Sequence, residues 1–466
     1  MGLLFAGVHA PIRVDTASAT ISCASGQDKF QPAGLTQSID HSRFRIGSSF
    51  YSIRRDNKRD QSLGGIMSLT RREIIAGLAS APLLTSMSSL SQAATTSISA
   101  DRFDPWIEVD AAALAHNVKT VAKLAGNRPI LAVIKNNAYG LGLATVAAVL
   151  EPMPEVKGFA VVKAAEAIAL RDAGVRKPIL LLALFSDQDG VELANRDIQF
   201  SLCTDDAAAR VMKAAKQSGR RPQAHFYLDT GMSRMGIPYH RALPVLEAVS
   251  NLDIEIKGTF TGFTEETEFD HEQLKRFTEF TATASKGGAE LGSLHAASSH
   301  AVFNFPASHL DQVRPGIALF GAYPSDPETE RAIATLQPAV SLRARIVRVE
   351  RLRSGDRVSY GGHYVASKPT WVATIPAGHT DGVPRSAVEG SRVLVNGRLY
   401  PVIGAVSASH AIIEVGDERS VNIGDLATLM GADHASIHPN ELAATSGTSV
   451  YDILMHLNPS IPKVLV

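Results

Sequence analysis

The 466-residue chain has few cysteines, no excess charge of either sign and no apolar run long enough to cross a bilayer. Its two cysteines, Cys23 and Cys203, lie too far apart to indicate a disulfide framework or a zinc site. Basic and acidic residues number 46 each, so the bulk charge gives no reason to expect nucleic acid or an anionic membrane as partner. Because a membrane helix needs about 20 consecutive apolar residues, we expect no membrane span.

The first hundred residues differ from the rest of the chain. Residues 1–66 are polar and serine-rich, and we interpret them as disordered or as upstream sequence included by a misplaced start. Residues 67–94 combine the pair Arg71 and Arg72, a short apolar run and small residues ending in SQA, as a signal peptide does. The paired arginines indicate twin-arginine export and a periplasmic protein. A chance amphipathic helix in a cytoplasmic protein is the alternative.

From residue 103 the chain alternates short apolar runs with helix-like segments. The apolar runs read PILAVIK, GFAVVK, PILLLAL, IQFSLC, AHFYLD, IKGTFTGF, LGSLHA and VRPGIALFG. Strands that alternate with helices indicate a parallel sheet, and eight of them predict a closed (β/α)8 barrel over residues 103–335. Residues 336–466 alternate β-formers with turns such as Asn396-Gly397, which predicts an all-β domain.

Lys135 ends the first of these apolar runs, in the text ILAVIKNNAYGLG. Removing an ammonium group from water is costly, so a lysine at the mouth of a buried strand requires a reason. Barrel active sites lie where the strands end, and serines and glycines after the last two strands commonly bind phosphate there. A lysine beside such a phosphate site suggests a Schiff base with pyridoxal phosphate. The residues alone leave open an ordinary strand-end lysine that keeps its charge in water.

Several segments resemble the alanine racemase family, in the family order and over most of residues 103–460. VIKNNAYGLG resembles the pyridoxal-phosphate motif of these enzymes, which usually reads VVKANAYGHG. DTGMSRMG, VRPGIALFG, VSYGGHY, TIPAGHTDG and GTSVYDIL follow at matching spacing. The resemblance implies a barrel followed by a β domain, pyridoxal phosphate as cofactor, and a homodimer with shared sites. It also implies an isomerase that interconverts L-alanine and D-alanine, a peptidoglycan precursor.

The resemblance further implies roles for individual residues. Lys135 would hold the cofactor and act as base on one face of the substrate, and Tyr360 from the other subunit would act on the opposite face. Arg314 would meet the pyridine nitrogen, where a group that keeps its proton favours simple reprotonation. Arg234 would steer the substrate carboxylate, and Ala408 would contact the substrate. The phosphate would be held by Tyr139, Ser299, Gly316 and Ile317.

The chain departs from the family text close to this expected site. Gly262 stands where the THFA motif has a histidine stacked on the cofactor, and Ser298 replaces the asparagine of HxANS. Ala408 and Ser409 replace a methionine and an aspartate. The C-terminal tyrosine that grips the phosphate aligns with Pro459.

Two alternatives follow from these departures. The small side chain of Ala408 opens space beside the substrate, which favours a racemase of broader or shifted specificity. Loss of the stacking histidine and of the phosphate tyrosine favours instead an impaired homologue that binds cofactor or amino acid without catalysis, because catalysis depends on supporting groups for exact placement. His300, absent from the usual motif, is a candidate to fill the gap at Gly262.

Overall fold

The computed structural model describes residues 98–99 and 101–466. The segments interpreted from the sequence as an upstream region (1–66) and a signal peptide (67–94) lie outside the described residues. Within the described part of the chain, none of the helices combines the length and the apolar character that a membrane span requires.

The first strand, β1 (Trp106–Val109), belongs to the sheet of the C-terminal domain and not to the barrel. It pairs antiparallel with residues 340–343 and parallel with residues 463–465. The expectation that the barrel begins at residue 103 is therefore wrong. Strand pairing between distant parts of a chain leaves no trace in local periodicity. The sequence pattern therefore could not show that β1 joins the sheet of the C-terminal domain.

Parallel strands curl into the wall of a barrel in the described residues. They are β2 (Ile130–Val133), β3 (Val156–Val161), β4 (Ile179–Leu181), β5 (Ile198–Leu202), β6 (Gln223–Asp229), β8 (Glu255–Phe260) and β9 (Ser293–His295), with the two-residue β7 (Ile237–Pro238) beside β6. Every residue of β2 and of β5 is buried, as expected of parallel strands covered on both faces.

An extended segment around Val313 closes the barrel between β9 and β2. Val313 forms a parallel bridge with Ile130, and the amides of Leu131 and Val133 donate to the carbonyls of Val313 and Pro315, at 2.9 Å each. On its other side the amide of residue 314 donates to the carbonyl of residue 297 at 2.8 Å. This segment takes the eighth position, and the predicted barrel fold is confirmed.

The eighth strand is shorter than the run VRPGIALFG predicted. From Ile317 to Phe320 the chain forms a 3-10 helix, which starts after Gly316 at φ −122° and ψ −88°. A Cβ at Gly316 would collide with the Tyr139 hydroxyl, so the close approach of a neighbouring side chain requires glycine at this turn.

Helices surround the barrel and join its strands. They are α1 (Ala111–Leu124), the short turn α2 (Lys135–Tyr139), α3 (Leu143–Leu150), α4 (Ala164–Asp172), α5 (Asp187–Asn195), α6 (Ala207–Ser218), α7 (Ala242–Ser250), α8 (Thr267–Lys286), α9 (Ser299–Asn304) and α10 (Pro327–Ile333). Polar caps fix several starts: Asp110 accepts from the Ala113 amide at 2.8 Å, and Ser298 caps α9. Fully buried phenylalanines, including Phe159 and Phe200, fill the core.

The C-terminal domain is mostly β-structure. Its strands are β10 (Val340–Arg345), β11 (Arg348–Leu352), β12 (Arg357–Val358), β13 (Tyr364–Val365), β14 (Thr370–Ile375), β15 (Arg392–Val395), β16 (Arg398–Ile403), β17 (Ala411–Gly416), β18 (Leu426–Met430) and β19 (Lys463–Leu465). Burial alternates along β10 and β17, as in a sheet with one covered face. Two helices, α11 (Pro439–Ser446) and α12 (Val450–Met455), follow β18, and α12 packs on α2.

Candidate active site

A cavity of about 630 Å³ lies at the C-terminal ends of the barrel strands. Lys135 lines it after β2, Arg234 after β6 and Arg314 after β9. The other barrel residues predicted from the sequence line the same cavity: Tyr139, Ser299, Gly316 and Ile317. Parallel strands that end at one rim thus bring together side chains that are distant in the sequence.

The turn α2 aims Lys135 into this cavity through an unusual backbone. Residues 136–139 all have left-handed φ between 52° and 56°. For an ordinary L-residue this conformation costs about 1–2 kcal/mol, and asparagine tolerates it best. Neighbouring groups hold the turn: the Asn137 amide donates to Glu166 Oε1 at 2.9 Å, and Asn137 Oδ1 accepts from the Leu143 amide at 2.9 Å. Strain of this kind persists where the surroundings enforce it, often at functional sites.

The surroundings of Lys135 favour its neutral amine. Burial lowers its pKa, and the positive charge of Arg234 lowers it further. Glu166 and Glu265 oppose this shift without reversing it. An uncharged amine is a nucleophile, so Lys135 is better prepared to attack a carbonyl carbon than a lysine in water is.

Tyr139, Ser299 and Gly316 form one corner of the cavity. The Tyr139 ring is buried against Phe320, with centroids 4.9 Å apart, and its hydroxyl occupies the space beside Gly316. Ser299 Oγ accepts hydrogen bonds from the amides of Gly316 at 2.9 Å and Ala318 at 3.2 Å. Hydroxyl groups gathered at one place can donate hydrogen bonds to an anion such as phosphate.

Tyr451, at the start of α12, adds a further phenol to this corner. Its ring centroid lies 6.4 Å from that of Tyr139. Ser449 caps α12 by accepting from the Asp452 amide at 3.2 Å, which fixes the direction of the helix towards α2. The expectation that Pro459 leaves the site without a C-terminal phenol is therefore wrong. Tyr451 supplies that phenol, and Pro459 does not line the cavity in the described chain.

Arg314 also lines the cavity, and several hydrogen bonds hold its guanidinium in place. Its guanidinium donates to His295 Nδ1 at 2.8 Å and to the carbonyl oxygens of His295 at 2.7 Å and Thr261 at 2.6 Å. It also lies over the Phe260 ring, 5.1 Å from the centroid. Burial lowers the pKa of Arg314 to about 10, so the group stays cationic at neutral pH.

Two buried histidines extend this network, and the sequence analysis missed both. His225 Nδ1 lies 2.8 Å from His295 Nε2, and His225 Nε2 lies 3.1 Å from Gln199 Oε1. Burial and the charge of Arg314 lower the pKa of His225 to about 3 and that of His295 well below its usual value. Donation from Arg314 to His295, from His295 to His225 and from His225 to Gln199 is one consistent tautomer assignment. Their trace in the sequence is a histidine inside each of the apolar runs AHFYLD and LGSLHA.

Gly262 faces two side chains, Met232 in the loop after β6 and Tyr227 on β6 itself. A Cβ built at Gly262 would lie 3.8 Å from Met232 Sδ and 3.8 Å from the Tyr227 hydroxyl. Tyr227 is packed on Phe260, with centroids 4.2 Å apart and an interplanar angle of 27°. The hypothesis that His300 fills this gap is wrong, because His300 Nδ1 instead lies 2.6 Å from a serine hydroxyl outside the cavity lining.

Tyr360 and Ala408 lie outside this cavity, on the β domain. The Tyr360 side chain is 75% exposed, on the connection between β12 and β13. Ala408 and Ser409 are exposed as well, and the Ser359 hydroxyl donates to the carbonyl of Ala405 at 2.7 Å, which joins the two segments. The predicted residues thus fall into two groups that one chain does not bring together.

We expect the neutral histidines to make the fold sensitive to acid. The folded-state pKa of His225 is about 3, below the ordinary histidine value of 6.5. Between these values the unfolded state binds a proton that the folded state does not bind. The free energy of unfolding should therefore fall as the pH drops from about 6.5 towards about 3, with the full value restored above this range.

Urea denaturation at several pH values between about 4 and about 7 measures this slope. In His225→Gln, whose amide still accepts a hydrogen bond from His295, the slope should decrease by about 1.4 kcal/mol per pH unit. The same substitution at the exposed His410 is the control. An equal slope in His225→Gln and the unmodified chain would contradict a neutral, buried His225.

Comparison with known proteins agrees with both parts of the fold. The model of the alanine racemase N-terminal domain matches residues 109–324, and that of the C-terminal domain matches residues 339–465. The alanine racemase of Desulforamulus reducens is 34% identical over 78% of this chain and 98% of its own length. That of Carboxydothermus hydrogenoformans is 33% identical over 78% of this chain and 99% of its own length.

Solved structures give the same result. The alanine racemase of a D-cycloserine-producing Streptomyces lavendulae superposes with a TM-score of 0.73 at 28% identity, over 78% of this chain and 97% of the other. The Bacillus anthracis alanine racemase with bound L-Ala-P gives a TM-score of 0.71 at 29% identity, over 78% and 95%. With both domain models matched and relatives above 30% identity covered almost end to end, the chain belongs to the alanine racemase family.

Proposed function

We propose that the chain is an amino-acid racemase that uses pyridoxal phosphate to interconvert L-alanine and D-alanine, or a related small amino acid. One observation carries the proposal: Lys135, with a lowered pKa, shares one barrel cavity with Arg234 and Arg314 in a chain whose relatives are named alanine racemase. In a periplasmic enzyme the D-alanine product would supply peptidoglycan synthesis.

The groups that line the cavity fit pyridoxal phosphate. Lys135 offers an amine for the aldehyde, Arg314 offers a cation for the pyridine nitrogen, and the corner around Tyr139 and Tyr451 offers hydroxyl groups for the phosphate. Ser299, Gly316 and Ile317 would complete the phosphate site. When bound, the cofactor would supply a conjugated, electron-withdrawing ring that weakens the Cα–H bond of the substrate.

Lys135 and Tyr360 would move the proton on opposite faces of Cα. Racemisation requires a group that takes the proton from one face and another that returns it from the other face. Since Tyr360 is exposed and lies outside its own cavity, we propose that it serves the cavity of a second chain in a head-to-tail homodimer. Ala408, on the same surface, would then contact the substrate in that cavity as well.

Arg314 and Arg234 would orient the reactants. A guanidinium that keeps its proton at neutral pH leaves the pyridine nitrogen unprotonated, which favours return of the proton to Cα over transfer of the amino group. Arg234 would bind the substrate carboxylate by charge-assisted hydrogen bonds. The alternative of a homologue that binds without catalysis was based on loss of the stacking histidine and of the phosphate tyrosine. Tyr451 removes the second of these reasons, because it supplies a C-terminal phenol to the corner that would bind the phosphate.

Exchange of the α-hydrogen of alanine with deuterium from the solvent tests this function. The pyridoxal-phosphate-loaded protein should exchange it from both enantiomers, and Lys135→Ala should lower the rate by about a hundredfold to ten-thousandfold, the usual contribution of a general base. Lys213→Ala, an exposed lysine on α6, is the control and should leave the rate unchanged. No exchange by the loaded protein on any amino acid would refute the racemase.

Mixing two inactive variants tests the shared sites. Lys135→Ala and Tyr360→Phe are each expected to be inactive as homodimers. If each cavity takes its lysine from one chain and its tyrosine from the other, random reassociation should restore about a quarter of the unmodified activity, since half of the dimers are mixed and each has one intact site. No recovery, although mixed dimers are detected by mass, would contradict a shared site.

We further propose that residues 67–94 direct twin-arginine export, so that the enzyme folds with its cofactor before transport. Replacing Arg71 and Arg72 together by lysine should move the protein from the periplasmic to the cytoplasmic fraction with its activity intact. The matched control is the same change at Arg54 and Arg55, a pair that no apolar run follows. Periplasmic recovery of the Arg71 and Arg72 variant at the unmodified level would count against export by this route.

A further inference from the structure

The loop between β8 and α8 places a carboxylate at the mouth of the cavity. Glu265 lines the cavity with Lys135 and Arg234 and also reaches solvent in the single chain. It follows Gly262 and Phe263 in the segment TGFTEE, directly after the four residues TGFT that align with the family text THFA. A carboxylate so close to the reacting groups is not needed for the racemisation described above.

The position of Glu265 is enforced by the structure around it. Its backbone is left-handed, at φ 66°, and its amide donates to Asp270 Oδ1 at 3.1 Å. The amide of Thr264 donates to the same carboxylate oxygen at 3.1 Å and to Gln273 Oε1 at 3.0 Å. Asp270 and Gln273 are buried on α8, so the loop is fixed to a rigid helix. A site on such a loop is held in place before any ligand arrives.

The carboxylate of Glu265 has no ion pair in the described part of the chain. The Ser298 hydroxyl, which stands where the family motif has asparagine, favours its charged form and lowers its pKa. Nearby ion pairs join Glu272 to Lys275 and Arg276, and none in the described part of the chain includes Glu265. Partial burial and the charge of Asp270 raise its pKa, while His300 and Arg234 lower it. The charge of this carboxylate is therefore less favourable than in water, and a cation beside it would stabilise it.

An amino-acid substrate can supply this cation only from its side chain. Its amino group must approach Lys135, and its carboxylate would be held by Arg234, so the side chain is left to extend towards the remaining wall and the mouth. A Cβ at Gly262 would be in ordinary contact, at 3.8 Å, with Met232 Sδ and the Tyr227 hydroxyl, so glycine leaves this part of the lining without a side chain. The methyl group of alanine cannot supply the cation.

We propose that Glu265 binds the cationic side chain of the substrate, and that the preferred substrates are basic amino acids such as lysine and arginine. The inference rests on the racemase function proposed above and gives that site basic, rather than small, amino acids as its preferred substrates. Ser298 lines the same cavity and favours the charged form of this carboxylate.

Deuterium exchange with lysine and norleucine tests this inference, because the two side chains differ only in the terminal ammonium group. We expect kcat/KM of the holoenzyme to be about tenfold to a hundredfold higher for lysine than for norleucine, the usual effect of a charge-assisted hydrogen bond. Glu265→Gln should remove most of this preference, mainly through a higher KM for lysine. Glu265→Lys should reverse it. Glu268→Gln, an exposed acidic residue on α8 outside the cavity, is the matched control and should keep the preference.

The outcomes separate this inference from the proposed function. Exchange of alanine and norleucine at least as fast as that of lysine would overturn the inference and leave the racemase intact. A lysine preference that survives in Glu265→Gln would also overturn it, because another group would then bind the ammonium. If no amino acid exchanges in the loaded enzyme, the racemase function fails and the inference fails with it.

Discussion

The hydrogen bonds that close the barrel between β2 and the segment around Val313 are the constraint on which the site depends. Val313 and Pro315 accept from the amides of Leu131 and Val133, and Lys135 follows β2 within two residues of that pairing. Arg314 lies inside the closing segment. The same bonds therefore complete the barrel and set the amine of Lys135 and the guanidinium of Arg314 in one cavity. A slip of one residue would turn Arg314 to the other face of the wall.

Much of this arrangement was predictable because it follows from local patterns. Apolar runs that alternate with helical segments indicate the barrel, and residues at or near the ends of its strands meet at one rim, as Lys135, Arg234 and Arg314 do. The rest depends on long-range contacts. The pairing of β1 with β10 and β19 joins the two ends of the described chain. His225 and His295 lie inside apolar runs, where a histidine gives no indication that it bonds to another histidine rather than packing alone.

Some of the predicted site residues line the barrel cavity, and others lie on the surface of the β domain. An oligomer would explain this division, because a second chain could bring its surface residues to the cavity of the first. Tyr360 is 75% exposed and does not line the cavity of its own chain, so its phenol lies in a surface environment there. A second chain would bury it against the cavity and change its surroundings. The sequence motif around Tyr360 is therefore compatible with its exposure in one chain, because the environment that would activate it is proposed to come from a partner.

Arg314 and the phenols of the cavity are retained despite the departures from the family text close to them. Burial of a guanidinium group in the cavity costs free energy, since its N–H donors then require acceptors within the protein. Arg314 has these partners in His295 and Thr261, and the corner proposed to bind phosphate keeps the phenols of Tyr139 and Tyr451. Gly262 and Ser298 line the same cavity as Glu265, so these departures change the surface that a substrate side chain would contact.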